Sequence, residues 1–468
     1  MVASVEMRST TTIDFDANRY RTILKLAIPT VLAMLTQSIV NHIDVIFFSR
    51  LPSWEGSNAQ AALMPSLIII WLFGGSLGAV SVGAQALTAR RFAEGDVKGA
   101  GAVLTNAAFF CLVAGFVFSL VGYLTLPFIL GFMIKSPPVL KIAIGYSRWR
   151  LLGVISMAMT MAVKAFFDGL GRTQVHLVAA IVMNFFNVIF CYAFIFGHLG
   201  APRVGPVGAG LSAFMATWIG LAIMLIYVFK LKPHYQAFQR VHLSKTLTWS
   251  ILKLSIPAGF ATVIMMVGFA LFASIVGKLD AGHEGAEAVN GAATTDIVAI
   301  LNLTFTACIA FGTATATLVS QSLGARRPKD AVKFGWASVR LGIMIFSVVA
   351  FLEGVVFTRP LVHFISHQSL QVQEVALIPM HIVGIITPII AVAMILSEAL
   401  FGAGVPKFVA LAQFVLIFGC LVPLSRLFSI ELGLGLNGIF LATSVYVTLA
   451  AAAMCWKFAQ GSWTSIRL

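Results

Sequence analysis

Residues 22–51 read TILKLAIPTVLAMLTQSIVNHIDVIFFSRL, and the apolar run from 24 to 48 decides which kind of fold this chain can adopt. A helix needs about 20 mostly apolar residues to cross the hydrocarbon core of a bilayer. Similar runs follow near residues 59–88, 101–125, 139–163, 174–197, 206–230, 250–277, 291–320, 331–357, 373–400, 407–428 and 434–456. The pattern therefore predicts twelve membrane-spanning segments.

The composition agrees with a chain whose main solvent is lipid. Of its 468 residues, 59% are hydrophobic and only 10% are charged, whereas soluble domains carry about 45–50% apolar and about 25% charged residues. The apolar runs are continuous and do not alternate, which favours helices over a membrane barrel. We predict an all-α polytopic membrane protein.

The formal net charge of +14 does not indicate a nucleic-acid partner, because the basic residues stand singly between apolar runs. Most Lys and Arg residues fall on the side of the membrane that carries both termini. The positive-inside rule therefore predicts cytoplasmic termini in a plasma (inner) membrane. The five cysteines are far apart and show neither a disulfide framework nor metal-ligand spacing.

The chain contains an internal repeat. Ile23–Pro29, ILKLAIP, recurs as Ile251–Pro257, ILKLSIP, and further blocks recur in the same order at nearly the same offset. A duplicated unit of six helices, an even number, gives two pseudo-symmetric lobes of the same orientation, as in many secondary transporters. The predicted parts are a tail at 1–20, an N-lobe at 21–231, a cytoplasmic loop at 232–248, a C-lobe at 249–458 and a tail at 459–468.

Two polar stripes interrupt the apolar spans of the N-lobe. Each follows one face of a helix: Gln37, Asn41 and Asp44 in the first span, and Asn184, Asn187 and Cys191 in the fifth. A carboxylate in the membrane costs about 2.5–3.5 kcal/mol on insertion scales and usually marks a functional site. We predict a cation-coupling site at Asp44, with the alternative that Asp44 only ties helices together.

The equivalent positions of the C-lobe are apolar. An offset of 228 places Met265, Phe269 and Phe272 opposite the first stripe, so the C-lobe could offer an adaptable surface to a lipophilic substrate. Pro29 and Pro257 occupy equivalent positions in the first helix of each lobe. Because proline removes a backbone hydrogen bond, both helices are expected to kink there.

The ordered blocks resemble the multidrug and toxic compound extrusion (MATE) family. They are residues 22–51, GLGRTQ followed by NFFNVIFCYAFIFGHLG, PVGAGLSA, TLVSQSLGARR and FGAGVPK, and they cover nearly all twelve spans. The resemblance implies a V-shaped pair of six-helix lobes and export of drugs or metabolites in exchange for H⁺ or Na⁺.

The resemblance also suggests a branch of the family. Asp44 matches the first-helix acid used for cation coupling, and Asn187 matches an Asn of the same site. An acid of DinF-like members falls here at Cys191, and a Thr falls at Ala213. The acid that NorM-like members carry in span seven has no counterpart, so the chain looks nearer the DinF-like branch.

We therefore expect a monomeric antiporter that exports lipophilic or aromatic small molecules across a lipid bilayer, with no cofactor other than the coupling cation. No Walker A motif is present, which argues against an ATP-driven pump. A flippase for lipid-linked precursors is the alternative within transport. A membrane-embedded enzyme is the alternative from another class, although no H-E-x-x-H motif or second facing acid supports it.

Overall fold

The computed structural model describes residues 18–134, 136–238, 243–280, 289–365 and 370–466, and this part of the chain is helical, without β-strands. Its helices are α1 (Arg19–Ser49), α2 (Ser53–Phe73), α3 (Val80–Ala93), α4 (Val97–Met133), α5 (Pro137–Leu152), α6 (Val154–Gly169), α7 (Gln174–Phe196), α8 (Val207–Tyr235), α9 (Lys245–Asp280), α10 (Val289–Gly324), α11 (Pro328–Phe351), α12 (Thr358–Ile365), α13 (Leu370–Ala403), α14 (Pro406–Leu416), α15 (Val422–Arg426) and α16 (Gly435–Ala459). Short π-helical turns extend α11, α14 and α15.

The number of long apolar helices agrees with the predicted architecture. Over the described residues, nine helices are long and apolar enough to cross a membrane, and two bent pairs bring the number to eleven. The bent pairs are α2 with α3, at 42°, and α5 with α6, at 41°. The remaining predicted span falls on α1, which is not among these eleven, although its 31 residues are long enough to cross. The all-α polytopic fold predicted from the sequence is confirmed.

The first part of the first helix of each repeat packs against the opposite lobe. In α1, Ile23 and Leu26 belong to a buried cluster formed mainly by α10, α11 and α13 of the C-lobe. In α9, the equivalent Ile251 and Leu254 belong to the buried core of the N-lobe. Each ILKL segment therefore packs into the core of the opposite lobe and completes that core.

Hydrogen bonds join the lobes at the end of the molecule that carries both termini. The Gln85 side-chain amide donates to the carbonyl of Thr313 at 3.0 Å and to the hydroxyl of Thr317 at 2.9 Å. The Gln321 amide donates to the Gly169 carbonyl at 2.6 Å. We call these contacts around Gln85 and Gln321 the termini-side seam. Farther from the termini, Phe47 and Phe272 lie in separate hydrophobic cores, one in each lobe.

The connection between the lobes is shorter than the predicted loop at 232–248. Helix α8 continues to Tyr235, and α9 begins at Lys245. The side-chain oxygen of Asn106 in α4 accepts a hydrogen bond from the backbone N–H of Ser244 at 2.9 Å, just before α9 begins. The start of the second repeat is therefore fixed to the N-lobe, and residues 239–242 lie outside the described part of the chain.

Candidate cation-coupling site

Asp44 lies near the end of α1 that is remote from the termini, and its side chain is buried, with a relative exposure of 8%. The Tyr146 hydroxyl on α5 donates to its Oδ2 at 3.0 Å. The Cys191 thiol on α7 donates to its Oδ1 at 3.8 Å, a distance allowed for sulfur. One carboxylate therefore links three helices of the N-lobe inside the protein.

The second predicted stripe reaches the same place. The Cys191 thiol also lies 3.7 Å from the amide oxygen of Asn187, which is buried one helical turn away. The structure thus brings Asp44, Asn187 and Cys191 together, a contact between the two stripes that helical spacing alone does not give. A single thiol placed between two oxygen acceptors can hydrogen-bond fully to only one of them at a time.

Asn184, the third member of this stripe, is only 4% exposed. Neither its amide nitrogen nor its amide oxygen has a hydrogen-bond partner. A buried amide without hydrogen-bond partners destabilises a protein by about 1–3 kcal/mol. A ligand or a rearranged neighbouring side chain that hydrogen-bonds to Asn184 would recover this free energy. Gln37 and Asn41 lie in α1, but their side chains are outside the described part of the structure.

Arg150 adds a charge to this site that the sequence analysis did not assign to it. It lies 13 residues after Pro137, the first residue of α5, which corresponds to about 20 Å along the helix. Its guanidinium lies 5.7 Å from the centroid of the ring of Tyr146, the residue whose hydroxyl donates to Asp44. Among the described residues, no carboxylate oxygen lies within the 4.0 Å of an ion pair with Arg150. The sequence signal that could have assigned Arg150 to this site was its i, i+4 spacing from Tyr146, which places both side chains on one helix face.

The two prolines lie inside continuous helices. Pro29 is within α1 and Pro257 within α9, both in the segments that pack against the opposite lobe. Close to Pro29, the Leu26 carbonyl accepts hydrogen bonds from the hydroxyls of Thr30 at 3.0 Å and Thr173 at 3.2 Å. Side-chain donors therefore stabilise the turn next to the proline.

The three C-lobe positions do not share one environment. Phe272 is buried and packs edge-on against Phe440, with ring centroids 6.1 Å apart. Phe269 is 45% exposed, and Met265 has intermediate exposure. In this conformation Phe272 is part of the C-lobe core, whereas Phe269 is available at the surface of α9.

A dedicated metal site is not built into the described residues, which contain no group of three or more His, Cys, Asp or Glu side chains that could hold a metal ion. Asp44 has one thiol and one phenol as its nearest polar partners.

Two six-helix repeats that join at one end and carry a buried carboxylate have the architecture of a secondary transporter. The MatE family model matches residues 29–193 and 257–427, and the chain belongs to this family. The two matched segments start 257 − 29 = 228 residues apart, which is the offset of the internal repeat.

Similar proteins agree with this assignment. The chain is 23% identical to the "Probable multidrug resistance protein NorM" of Thermotoga maritima over 448 residues, which are 94% of this chain and 92% of that protein. It is 27% identical to the "Multidrug resistance protein PmpM" of Pseudomonas aeruginosa, over 69% of this chain and 68% of that protein.

The fold is also found in solved structures. A MOP superfamily transporter from Pyrococcus furiosus aligns with a TM-score of 0.87 at 17% identity, over 98% of this chain and 100% of that one. An outward-facing multidrug resistance MATE transporter aligns at 0.86 and 18% identity, over 97% and 99%. The predicted resemblance is confirmed: the chain is an integral, multi-pass membrane transporter of small molecules, and not an enzyme.

Proposed function

We propose that the chain is a secondary active multidrug exporter that exchanges lipophilic or aromatic compounds for protons at Asp44. The observation that carries this proposal is the Asp44 carboxylate, which is buried in the N-lobe and bound by donors from two other helices. The names of the relatives, which are multidrug resistance proteins, support drugs as the substrate class.

Arg150 favours the proton over a metal cation. An ionised Asp44 and a charged Arg150 together have no net charge, so the guanidinium offsets part of the attraction that the carboxylate exerts on Na⁺. A proton binds covalently to one carboxylate oxygen and needs no shell of oxygen ligands. Protonation leaves the site with the positive charge of Arg150 alone.

Protonation would also change the hydrogen bonds of Asp44. An ionised carboxylate only accepts hydrogen bonds, whereas a carboxylic acid also donates one. The unpartnered amide oxygen of Asn184 and the weakly bonded amide oxygen of Asn187 are acceptors on the neighbouring α7. Proton uptake is therefore expected to form a hydrogen bond from Asp44 on α1 to one of these oxygens on α7, which changes how the two helices pack.

Helix α1 can carry this change to the lobe boundary, because it holds Asp44 near one end and packs Ile23 and Leu26 into the C-lobe core near the other. Because α1 is one continuous helix, a shift of α1 at Asp44 also moves the segment that packs into the C-lobe core. The membrane potential supplies about 2.3 kcal/mol per 100 mV for each proton that enters. We propose that the protein is a monomer in the plasma membrane with both termini in the cytoplasm. Protons then enter from the opposite side of the membrane.

The flippase alternative receives no support from two basic residues of the N-lobe, Lys164 and Arg90. Lys164 on α6 forms an ion pair with Asp168 at 2.8 Å, and Arg90 on α3 is buried and donates to the Ala403 carbonyl at 2.9 Å. Both side chains are bound within the protein, whereas binding of a lipid diphosphate calls for free positive groups. Export of drug-like molecules is the function that the site supports best.

The test is ethidium transport in proteoliposomes with an imposed pH gradient. Asp44→Asn keeps the size and polarity of the side chain but cannot take up a proton, so gradient-driven transport should fall to the level of empty vesicles. Glu353→Gln is the matched control, because this C-lobe carboxylate is held by the Thr304 hydroxyl at 2.7 and 2.9 Å, away from Asp44. Full pH-driven transport by a folded Asp44→Asn variant would refute the proposal.

A further inference from the structure

Arg90 belongs to the last turn of α3 in the N-lobe, but its guanidinium binds the C-lobe. The side chain is only 5% exposed. Its Nη2 donates to the Ala403 carbonyl at 2.9 Å, and its Nη1 donates to the Ile466 carbonyl. Both acceptors lie on the C-lobe side of the termini-side seam, so both hydrogen bonds break when the lobes separate there.

The Ala403 carbonyl lies at the end of α13, where helix carbonyls lack partners inside the helix. Gly404 follows with a left-handed φ of +89°, so the chain turns away and leaves this end of the helix open to Arg90. The helix dipole also favours a cation at the C-terminal end of a helix. Arg90 therefore caps α13 from the opposite lobe.

The Ile466 carbonyl is held in place by the segment that follows α16. Trp463 in this segment is fully buried, and its indole N–H donates to the Phe458 carbonyl at 2.8 Å. The rings of Trp463 and Phe458 are stacked, with centroids 4.6 Å apart. Ile466 itself packs against the buried core of the C-lobe. The second acceptor of Arg90 is therefore anchored to the C-lobe.

The second repeat makes the same kind of contact in the opposite direction. Gln321 of α10 lies 321 − 90 = 231 residues after Arg90, close to the offset of the internal repeat. Its amide donates at 2.6 Å to the carbonyl of Gly169, the last residue of α6 in the N-lobe. Gly171 then has a left-handed φ of +74°, as Gly404 does after α13. Two side chains at equivalent positions thus cap equivalent helices across the seam.

We infer that Arg90 and Gln321 are reciprocal interlobe helix caps that hold the termini-side seam closed, and that Arg90 is the stronger of the two. Arg90 is a charged donor that binds two carbonyls, whereas Gln321 is a neutral donor that binds the carbonyl at one helix end. Charge-assisted hydrogen bonds are about twice as strong as neutral ones. Loss of the Arg90 cap should therefore favour the separated state more than loss of the Gln321 cap does.

The test measures the distance between the lobes by double electron–electron resonance in lipid nanodiscs. Spin labels are attached to Lys98→Cys and Lys329→Cys, the second residues of α4 and α11, after the five native cysteines have been replaced by alanine. Both positions are exposed, and they are equivalent in the two repeats. Separation of the lobes at the seam lengthens the distance between the labels, so the ratio of long-distance to short-distance populations reports opening.

Arg90→Met has a similar length but cannot donate, and it should increase this ratio about tenfold or more, which is the usual effect of losing a hydrogen bond from a charged group. Gln321→Met should increase the ratio about threefold. This second variant leaves no charge behind, so it tests the inference even if Arg90→Met does not fold. Arg90→Lys should give an intermediate ratio, because an ammonium group lacks the fork that binds both carbonyls.

Arg91→Met is the matched control. It removes the same charge one residue further along α3, from a side chain that is 39% exposed and pairs with Asp96 of its own lobe at 2.9 Å, so it should leave the ratio unchanged. The inference is overturned if a folded Arg90→Met or Gln321→Met variant keeps the ratio of the parent protein, or if Arg91→Met raises the ratio as much as Arg90→Met. Size-exclusion profiles identify variants that are misfolded. The measurement needs neither a proton gradient nor a substrate, so its result does not depend on Asp44.

Discussion

Gly83 is the position where a single added methyl group should separate the lobes. It lies on α3, and a Cβ atom built there would be 2.3 Å from the Ile251 carbonyl oxygen and 2.6 Å from the Ser255 hydroxyl, both on α9 of the other lobe. Neither neighbour can easily yield, because one is helix backbone and the other is a short side chain. We expect Gly83→Ala to force α3 and α9 apart.

The size of the effect follows from the hydrogen bonds nearby. A normal contact of about 3.5 Å requires the helices to separate by roughly 1 Å. The two Gln85 bonds, at 3.0 and 2.9 Å, would then exceed the usual hydrogen-bond range. Their loss costs about 1 kcal/mol each, so about 2 kcal/mol should shift the ratio of joined to separated lobes roughly 30-fold.

The same substitution should not weaken the fold itself. Alanine favours a helix over glycine by about 1 kcal/mol, and Gly83 lies within α3. Ser320 is fully buried between the lobes, where its hydroxyl donates to the Ala86 carbonyl at 2.8 Å. In a protein whose five native cysteines are replaced by alanine, labelling of Ser320→Cys by a membrane-impermeant maleimide should therefore rise, while thermal stability is unchanged or slightly increased. Gly131→Ala on α4 is the control, because nothing lies within 4 Å of its added methyl group.

Two outcomes would contradict this reasoning. Unchanged labelling in Gly83→Ala would mean that the contact between α3 and α9 does not hold the lobes together. Increased labelling in Gly131→Ala as well would mean that helix propensity, and not the interlobe contact, controls opening.

Two further predictions concern the Asp44 site. Tyr146→Phe removes the hydroxyl that donates to Asp44 at 3.0 Å and should reduce the pH-driven transport rate about three- to tenfold, from the loss of about 1 kcal/mol; an unchanged initial rate in proteoliposomes would show that this hydrogen bond is not used. Arg150→Gln leaves Asp44 without a nearby positive charge and should allow an imposed Na⁺ gradient to drive ethidium transport. Transport by this variant that still responds only to pH would show that Arg150 does not select the coupling ion.

Much of the fold could be predicted from the sequence because its signals are local. The length of each apolar run fixes a membrane span, and the ILKL repeat fixes the duplication without knowledge of any contact. The two polar stripes were also predictable, since helical spacing places Asp44 on one face of its helix and Asn187 and Cys191 on one face of theirs. That these two faces meet depends on tertiary packing, which spacing does not encode. The bends at Gly74 and Gly153 within two spans were not predicted, because hydropathy does not report helix direction.

The charged residues that were missed depend on tertiary packing. Arg150 resembles a residue that anchors a helix end until the structure shows α5 beginning at Pro137 and Tyr146 turning toward Asp44. Lys164 and Asp168 resemble a loop flank, since GLG follows them directly. Only the Thr317 hydroxyl, which lies 149 residues further along the chain and donates to the Asp168 carbonyl, places them at the lobe boundary, and no local pattern encodes that contact.

The packing of each ILKL segment in the opposite lobe has a consequence for biosynthesis. When the first half of the chain has been inserted, the apolar face around Ile23 and Leu26 still lacks its final neighbours, and the half itself lacks Ile251 and Leu254. Neither half can therefore reach its mature packing before the other has been made. Halves produced from separate messages should be degraded when made singly and recovered when made together.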